Sequence, residues 1–95
     1  MHQFLLLQAS DEEPITLQRQ TPTTFICNAP HRLMAFVLQH GYYEISLSKA
    51  TYEIGRLRHN NGSIIVVFNT GTIMVQGQKA RETSDRLLAR FGENA

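Results

Sequence analysis

Tyr52-Glu-Ile-Gly-Arg-Leu-Arg-His59, Asn60-Asn-Gly62, Ser63-Ile-Ile-Val-Val-Phe68, Asn69-Thr-Gly71, Thr72-Ile-Met-Val-Gln76 is the stretch that decides the fold. Runs rich in β-branched and aromatic residues alternate with Asn/Gly triplets. Asn and Gly tolerate the positive φ of tight hairpin turns, so the stretch reads as two successive antiparallel hairpins. Gly77 breaks the last strand, and the period then changes. Ala80, Ser84, Leu87, Leu88 and Phe91 fall on one face of a helix over Gln78–Phe91, with Gly92 suited to its end. Tyr52 to Phe91 is therefore one unit, hairpin, hairpin and helix. A helix over Lys49–Arg58, carried by Ile54 and Leu57 three apart, ranks below this reading.

Three-residue hairpin loops are commonly type I turns closed by a glycine bulge, which places His59 opposite Ser63 and Phe68 opposite Thr72. Side-chain alternation then sorts the strands. Leu57, Ile65, Val67, Ile73 and Val75 share a first face, uniformly apolar and expected to pack on the helices. Tyr52, Ile54, Arg56, Arg58, Ile64, Val66, Phe68, Thr72, Met74 and Gln76 share the second. That second face is too apolar to be left wholly in water, so a cover is expected. The candidates are the N-terminal strands, a second copy of the chain, a partner protein or nucleic acid.

Working outward, Asn28 reads as the N-cap of a first amphipathic helix, with Pro30 in its first turn and Gly41 as its stop. Leu33, Phe36, Val37 and His40 share its apolar face, with Met34 and Leu38 beside them. Tyr43, Ile45 and Leu47 alternate with polar residues as a strand. Before the helix, Phe4–Gln8 and Ile15–Arg19 read as strands around an acidic turn, Ser10–Pro14, and Phe25–Cys27 starts a further element. The expectation is one domain: an N-terminal strand extension over residues 1–27 and a helix-sheet-helix core over residues 28–91. Its class is α+β, an antiparallel β-sheet with two amphipathic helices packed on one face, plus the N-terminal strands.

At 95 residues, with 42% hydrophobic and 18% charged residues, the composition is that of one folded domain. Phe4–Leu7 is too short an apolar run for a membrane span, and no basic segment precedes it. The single cysteine, Cys27, forms no internal disulfide and fits a reducing compartment, with the cytoplasm expected. Net charge is +1, but residues 1–48 stand at −2 and residues 49–95 at +3. Such polarity suits an acidic partner or nucleic acid, and equally an ordinary solvated surface.

Phe68-Asn-Thr-Gly-Thr-Ile-Met-Val-Gln-Gly77, followed by a helix, resembles the N-terminal domain of bacterial ribonuclease HIII. That domain has the fold of half a TATA-binding protein. The resemblance covers Tyr52–Phe91 and implies a helix, a four-stranded antiparallel sheet and a helix, with the sheet surface facing RNA/DNA hybrids. The family's catalytic ribonuclease H domain has no counterpart here. Where the family has lysine near the turn, this chain has Asn69 and Thr72. Similar small domains occur in RNase LS-type toxins and their neighbours. Resemblance of this kind bears on fold more than on function.

The chemistry itself is sparse. His2, His31, His40 and His59 lack a zinc-ligand spacing, and Asp11, Glu12 and Glu13 read as a solvated turn, so no metal or cofactor is expected. Cys27 reads as a half-buried structural thiol. His59 with Arg58, Arg56 and Tyr52 could be written as an acid–base group for RNA cleavage, but alternation sets His59 on the opposite face from the arginines. The first expectation is thus a non-catalytic nucleic-acid-binding module for RNA/DNA hybrid or duplex. Tyr52 and Phe68 would stack, Arg56 and Arg58 neutralise phosphates, and Thr72 and Gln76 donate hydrogen bonds, around Val66 and Met74. The alternative is a protein-interaction module using the same face, such as a small inhibitor, an antitoxin-like regulator or a homodimer. A small endoribonuclease toxin comes third.

Overall fold

Alternation and turn chemistry in the hairpin stretch carry through to three dimensions. The computed structural model describes residues 13–45 and 52–92. A hairpin of β1 (Leu17–Thr21) and β2 (Thr24–Cys27) leads into helix α1 (Pro30–Leu38). The strands β3 (Tyr43–Glu44), β4 (Glu53–Arg58), β5 (Ser63–Phe68) and β6 (Thr72–Gly77) follow, and helix α2 (Ala80–Phe91) closes the order. All six strands form one antiparallel sheet in the order β1-β2-β6-β5-β4-β3. The fold is α+β, as the sequence indicates. The sheet has six strands and not four because β2 pairs with β6, Phe25 lying opposite Ile73.

Both turns close as the glycine-bulge reading requires. The His59 N–H donates to the Ser63 carbonyl at 3.0 Å, and the Gly71 N–H donates to the Phe68 carbonyl at 3.0 Å. Gly71 has φ of +98°, and its carbonyl accepts the Cys27 N–H at 2.7 Å. The turn thereby fastens the second hairpin to the end of β2.

The first face is the core. Leu57, Ile65, Val67, Ile73 and Val75 are buried with Leu17, Phe25 and Cys27 of the hairpin and Leu33, Val37 and Leu87 of the helices. Burial of each large side chain here contributes roughly 1.5–3 kcal/mol. The N-terminal hairpin is therefore part of the main core, supplying Leu17 and Phe25 at no measurable exposure. It widens the sheet beyond β6 and does not lie across the second face, so β1 and β2 are not the cover that the sequence invited.

Four local expectations change. First, β4 carries a bulge: Glu53 faces Phe68 while Gly55 already faces Val67, so Ile54 is the extra residue. Ile54 turns to the core, and Glu53 takes the place on the second face that strict alternation gave to Ile54. Gly55 is where helix and strand meet most closely, since a Cβ there would collide with the Met34 sulfur.

Second, Asn28 does not cap α1; Ala29 holds the N-cap position without a side-chain hydrogen bond. The Asn28 carboxamide instead accepts from the Thr16 N–H at 2.8 Å and donates to the Pro14 carbonyl at 2.9 Å. Its hydrogen bonds are spent on the chain entering β1.

Third, the strand expected from Tyr43 to Leu47 is two residues long as described, with Tyr43 opposite Arg58. Ile45 follows it, its N–H donating to the Arg56 carbonyl at 3.1 Å; residues 46–47, the Phe4–Gln8 strand and most of the Ser10–Pro14 turn lie outside the described residues. Fourth, α2 begins at Ala80, because Lys79 takes a left-handed conformation with φ of +63° and starts the helix there. No helix among the described residues is long and apolar enough to cross a membrane.

Candidate functional site

The second face gathers most of the side chains singled out from the sequence. Arg56, Val66 and Met74 form one ladder across β4, β5 and β6, with Arg58, Ile64 and Gln76 in the next. Phe68 lies beside Glu53 and Thr72. Tyr52 precedes β4 and is 58% exposed, and the bulge at Ile54 removes the alternation that assigned it to this face.

These residues differ in how freely they face solvent. Arg56 reaches back along its own strand and donates from Nε and Nη2 to the two Glu53 carboxylate oxygens, both at 3.2 Å. The Glu53 side chain is only 3% exposed. One of the two proposed phosphate contacts is thus already committed to a carboxylate. Val66, at 1% exposure, offers nothing to a ligand, and Ile64, Phe68, Thr72 and Met74 are half-buried. Arg58 and Gln76 remain exposed.

The helix side of the sheet holds a better-formed recess. A groove of about 470 Å³ runs between α1 and α2 and opens at the β4–β5 turn. Phe36 and Val37 come from α1, His40 and Tyr42 from the segment after it, and His59 and Asn61 from the turn. Thr83, Arg86, Leu87, Arg90 and Phe91 come from α2. These last five recur at helical spacing, so α2 presents a single stripe in which two arginines border the apolar face.

Aromatic pairs build the walls. Phe36 and His40 are stacked with centroids 4.0 Å apart, and Tyr42 and His59 lie at 4.8 Å. Phe91 meets Phe36 edge to face at 4.9 Å. The Arg90 guanidinium lies over Phe36 at 5.3 Å and over Phe91 at 5.8 Å, within the range of a cation–π contact.

Hydrogen bonds at Nδ1 set the tautomer of each histidine ring. His40 Nδ1 is 2.8 Å from the Phe36 carbonyl, which can only accept, so the neutral ring carries its proton on Nδ1 and keeps an acceptor at Nε2. His59 is the reverse: its Nδ1 accepts the Asn61 N–H at 3.2 Å, leaving Nε2–H as a donor. Asn61 is itself held, its Oδ1 accepting from the Ser63 N–H and hydroxyl and its amide donating to Thr83 Oγ1. The turn that carries His59 is therefore braced against α2.

Among the described residues, the groove lining holds two arginines and no carboxylate. Arg86 shares Glu82 with Lys79 at the helix surface, while Arg90 has no carboxylate within 4 Å among the described residues. No group of three or more His, Cys, Asp or Glu side chains among the described residues is placed to hold a metal ion. Cys27 lies under the sheet's first face, where burial pushes its thiol pKa above the ordinary 9.0, with the Ala29 N–H and Arg32 opposing in part.

The sequence sets His40 on the apolar face of the first helix, but α1 ends at Leu38 and His40 lies in the exposed turn beyond it; His59 lies at the turn, as the sequence indicates. Their meeting with Arg86 and Arg90 depends on the packing of α1 against α2. The one signal in the sequence was a pair of arginines four apart beside Leu87 and Phe91. Searches of protein-family models, curated proteins and solved structures return no match to this chain.

Proposed function

We propose that the protein is a non-catalytic nucleic-acid-binding module, and that the groove between α1 and α2 makes the contact in preference to the second sheet face. The observation that carries this reading is Arg90, laid over two phenyl rings with no carboxylate partner among the described residues, in a groove whose lining is free of acidic side chains. Cations interleaved with aromatic rings are the combination that binds a phosphate backbone and its bases together. Arg56, by contrast, is held by Glu53.

Each groove histidine has its Nδ1 occupied by the backbone and offers a single nitrogen, an arrangement suited to fixed hydrogen bonding. The single cysteine agrees with a cytoplasmic setting for such a module. The resemblance of the Phe68–Gly77 segment to a hybrid-binding domain supports the ligand class, while the geometry supports a different surface for it.

Salt titration tests the reading. Each neutralised phosphate contributes about −0.7 to −0.9 to the slope of log affinity against log salt concentration. With Arg86 and Arg90 engaged, a slope of about −1.4 to −1.8 is expected, and Arg90→Gln reduces its magnitude by about one contact. Arg56→Ala leaves the slope unchanged. Absence of binding to every single-stranded, duplex and hybrid probe at low salt would falsify the proposal.

A further inference from the structure

We infer that the groove seats one unpaired nucleotide, its phosphate toward Arg86 and Arg90 and its base against the His40 and Tyr42 rings. The protein then takes single-stranded nucleic acid in preference to duplex or hybrid. This rests on the nucleic-acid-binding reading and narrows it.

Three observations converge. The first is shape. A recess of about 470 Å³ between two helices is the size of a small-ligand pocket, in the range of about 300–1,000 Å³, and has the form of a cleft. In a duplex both faces of each base are covered by neighbours and its pairing edge is occupied. Recessed rings can touch only a base that has left its stack. Here Phe36 and His40 already form a two-layer stack to which a base adds a third.

The second is charge. Arg86 and Arg90 stand one turn apart on α2, and among the described residues no carboxylate lines the groove, although Arg86 also donates to Glu82 at 3.3 Å on the helix surface. A single phosphate is within reach of such a pair, and guanidinium groups hold phosphate through paired N–H donors.

The third is the polar edge. His59 keeps a donor at Nε2 and His40 an acceptor at Nε2, two groups of opposite kind at one site. A fatty acid would use the arginines and the apolar floor of Val37 and Leu87 but would leave the two histidine nitrogens without partners. A nucleobase has complementary donors and acceptors around its rim.

The test is fluorescence anisotropy on the full chain at about 50 mM salt, with one labelled oligonucleotide presented as single strand, DNA duplex and RNA/DNA hybrid. The single strand is expected to bind at least about tenfold more tightly than either paired form. Arg90→Gln and His40→Ala each weaken it by about tenfold to a hundredfold, in line with one lost charged hydrogen bond or one lost stacked base. Arg58→Gln, on the second face, changes nothing. Unlabelled adenosine monophosphate displaces the strand, and inorganic phosphate at the same concentration does so much less.

Arg90 and His40 are both exposed, and matched urea midpoints for the variants confirm that binding and not folding is read. Equal affinity for duplex and single strand, with sensitivity to Arg58→Gln but not to Arg90→Gln, overturns this inference and leaves nucleic-acid binding standing. No binding to any probe overturns both. Displacement by oleate but not by adenosine monophosphate assigns the groove to another anionic ligand and overturns the inference as well.

Discussion

Arg56→Ala separates two roles that the same residue could play. From the sequence it is a phosphate contact; in the fold it is the counter-ion of Glu53. The Glu53 side chain is 3% exposed, and both its oxygens take hydrogen bonds from Arg56 at 3.2 Å. Removing the guanidinium strips the carboxylate of both donors. Breaking a fully buried pair costs about 3–5 kcal/mol, because the surviving charge stays out of water. Arg56 is 36% exposed, so water screens the pair and enters more readily once the arginine is gone. The expected loss is therefore lower, about 1–3 kcal/mol.

Urea denaturation followed by circular dichroism measures it. For a chain of this size, with a denaturant slope near 1 kcal/mol per M, the midpoint falls by about 1–3 M. Glu53→Leu combined with Arg56→Met should recover most of the loss, since an apolar pair of similar volume replaces a desolvated ion pair at little net cost. Nucleic-acid affinity, measured on the folded fraction, stays at the wild-type value. The reasoning is refuted if Arg56→Ala leaves the urea midpoint in place while lowering affinity, for then the arginine serves a ligand and not Glu53.

Other substitutions probe the remaining features. Asn28→Asp would be silent at an N-cap, where Asp and Asn are equivalent. Here it sets a carboxylate against the Pro14 carbonyl in place of a donor and costs about 1–2 kcal/mol by urea titration. Gly71→Ala combines a positive φ with a Cβ 2.8 Å from the Cys27 carbonyl, a backbone atom fixed in the sheet, and costs about 2–4 kcal/mol. Gly62→Ala meets only the Gln78 side chain and costs at least about 1 kcal/mol less. For Cys27, burial raises the folded-state thiol pKa, so the unfolded chain loses its proton first. Stability is unaffected below the ordinary value of 9.0 and falls as pH rises from there toward the folded-state value. The drop in urea midpoint between pH 8 and pH 10 is expected to be larger for the wild type than for Cys27→Ala; equal drops would rule the linkage out.

Period and turn chemistry made β5, β6 and α2 readable, because each repeats one local rule over several residues. Ile65, Val67, Ile73 and Val75 were assigned to the core from alternation alone and are buried there. Ile54 escaped because a bulge inserts one residue without changing composition, and alternation has no term for it. Asn28 escaped because a good capping residue near Pro30 looks the same whether its amide serves the helix or the chain at Pro14 and Thr16 that leads into β1. The groove was illegible for a related reason. His40, His59 and Arg90 lie in three separate elements, and only the packing of two helices over one sheet makes them neighbours.

The pairing of β2 with β6 has a further consequence, in the order of assembly. Strands β3 to β6 each pair with their sequence neighbour and can zip locally, one short loop at a time. Thr24–Cys27 must wait for Thr72–Gly77, about half the chain away, before Phe25 finds Ile73. During synthesis the first hairpin leaves the ribosome long before its partner strand exists. The N-terminal hairpin is then the last piece to dock and the first to come away. Phe25→Ala should act mainly by speeding unfolding, while substitutions in the Ile65–Ile73 pairings should slow folding itself.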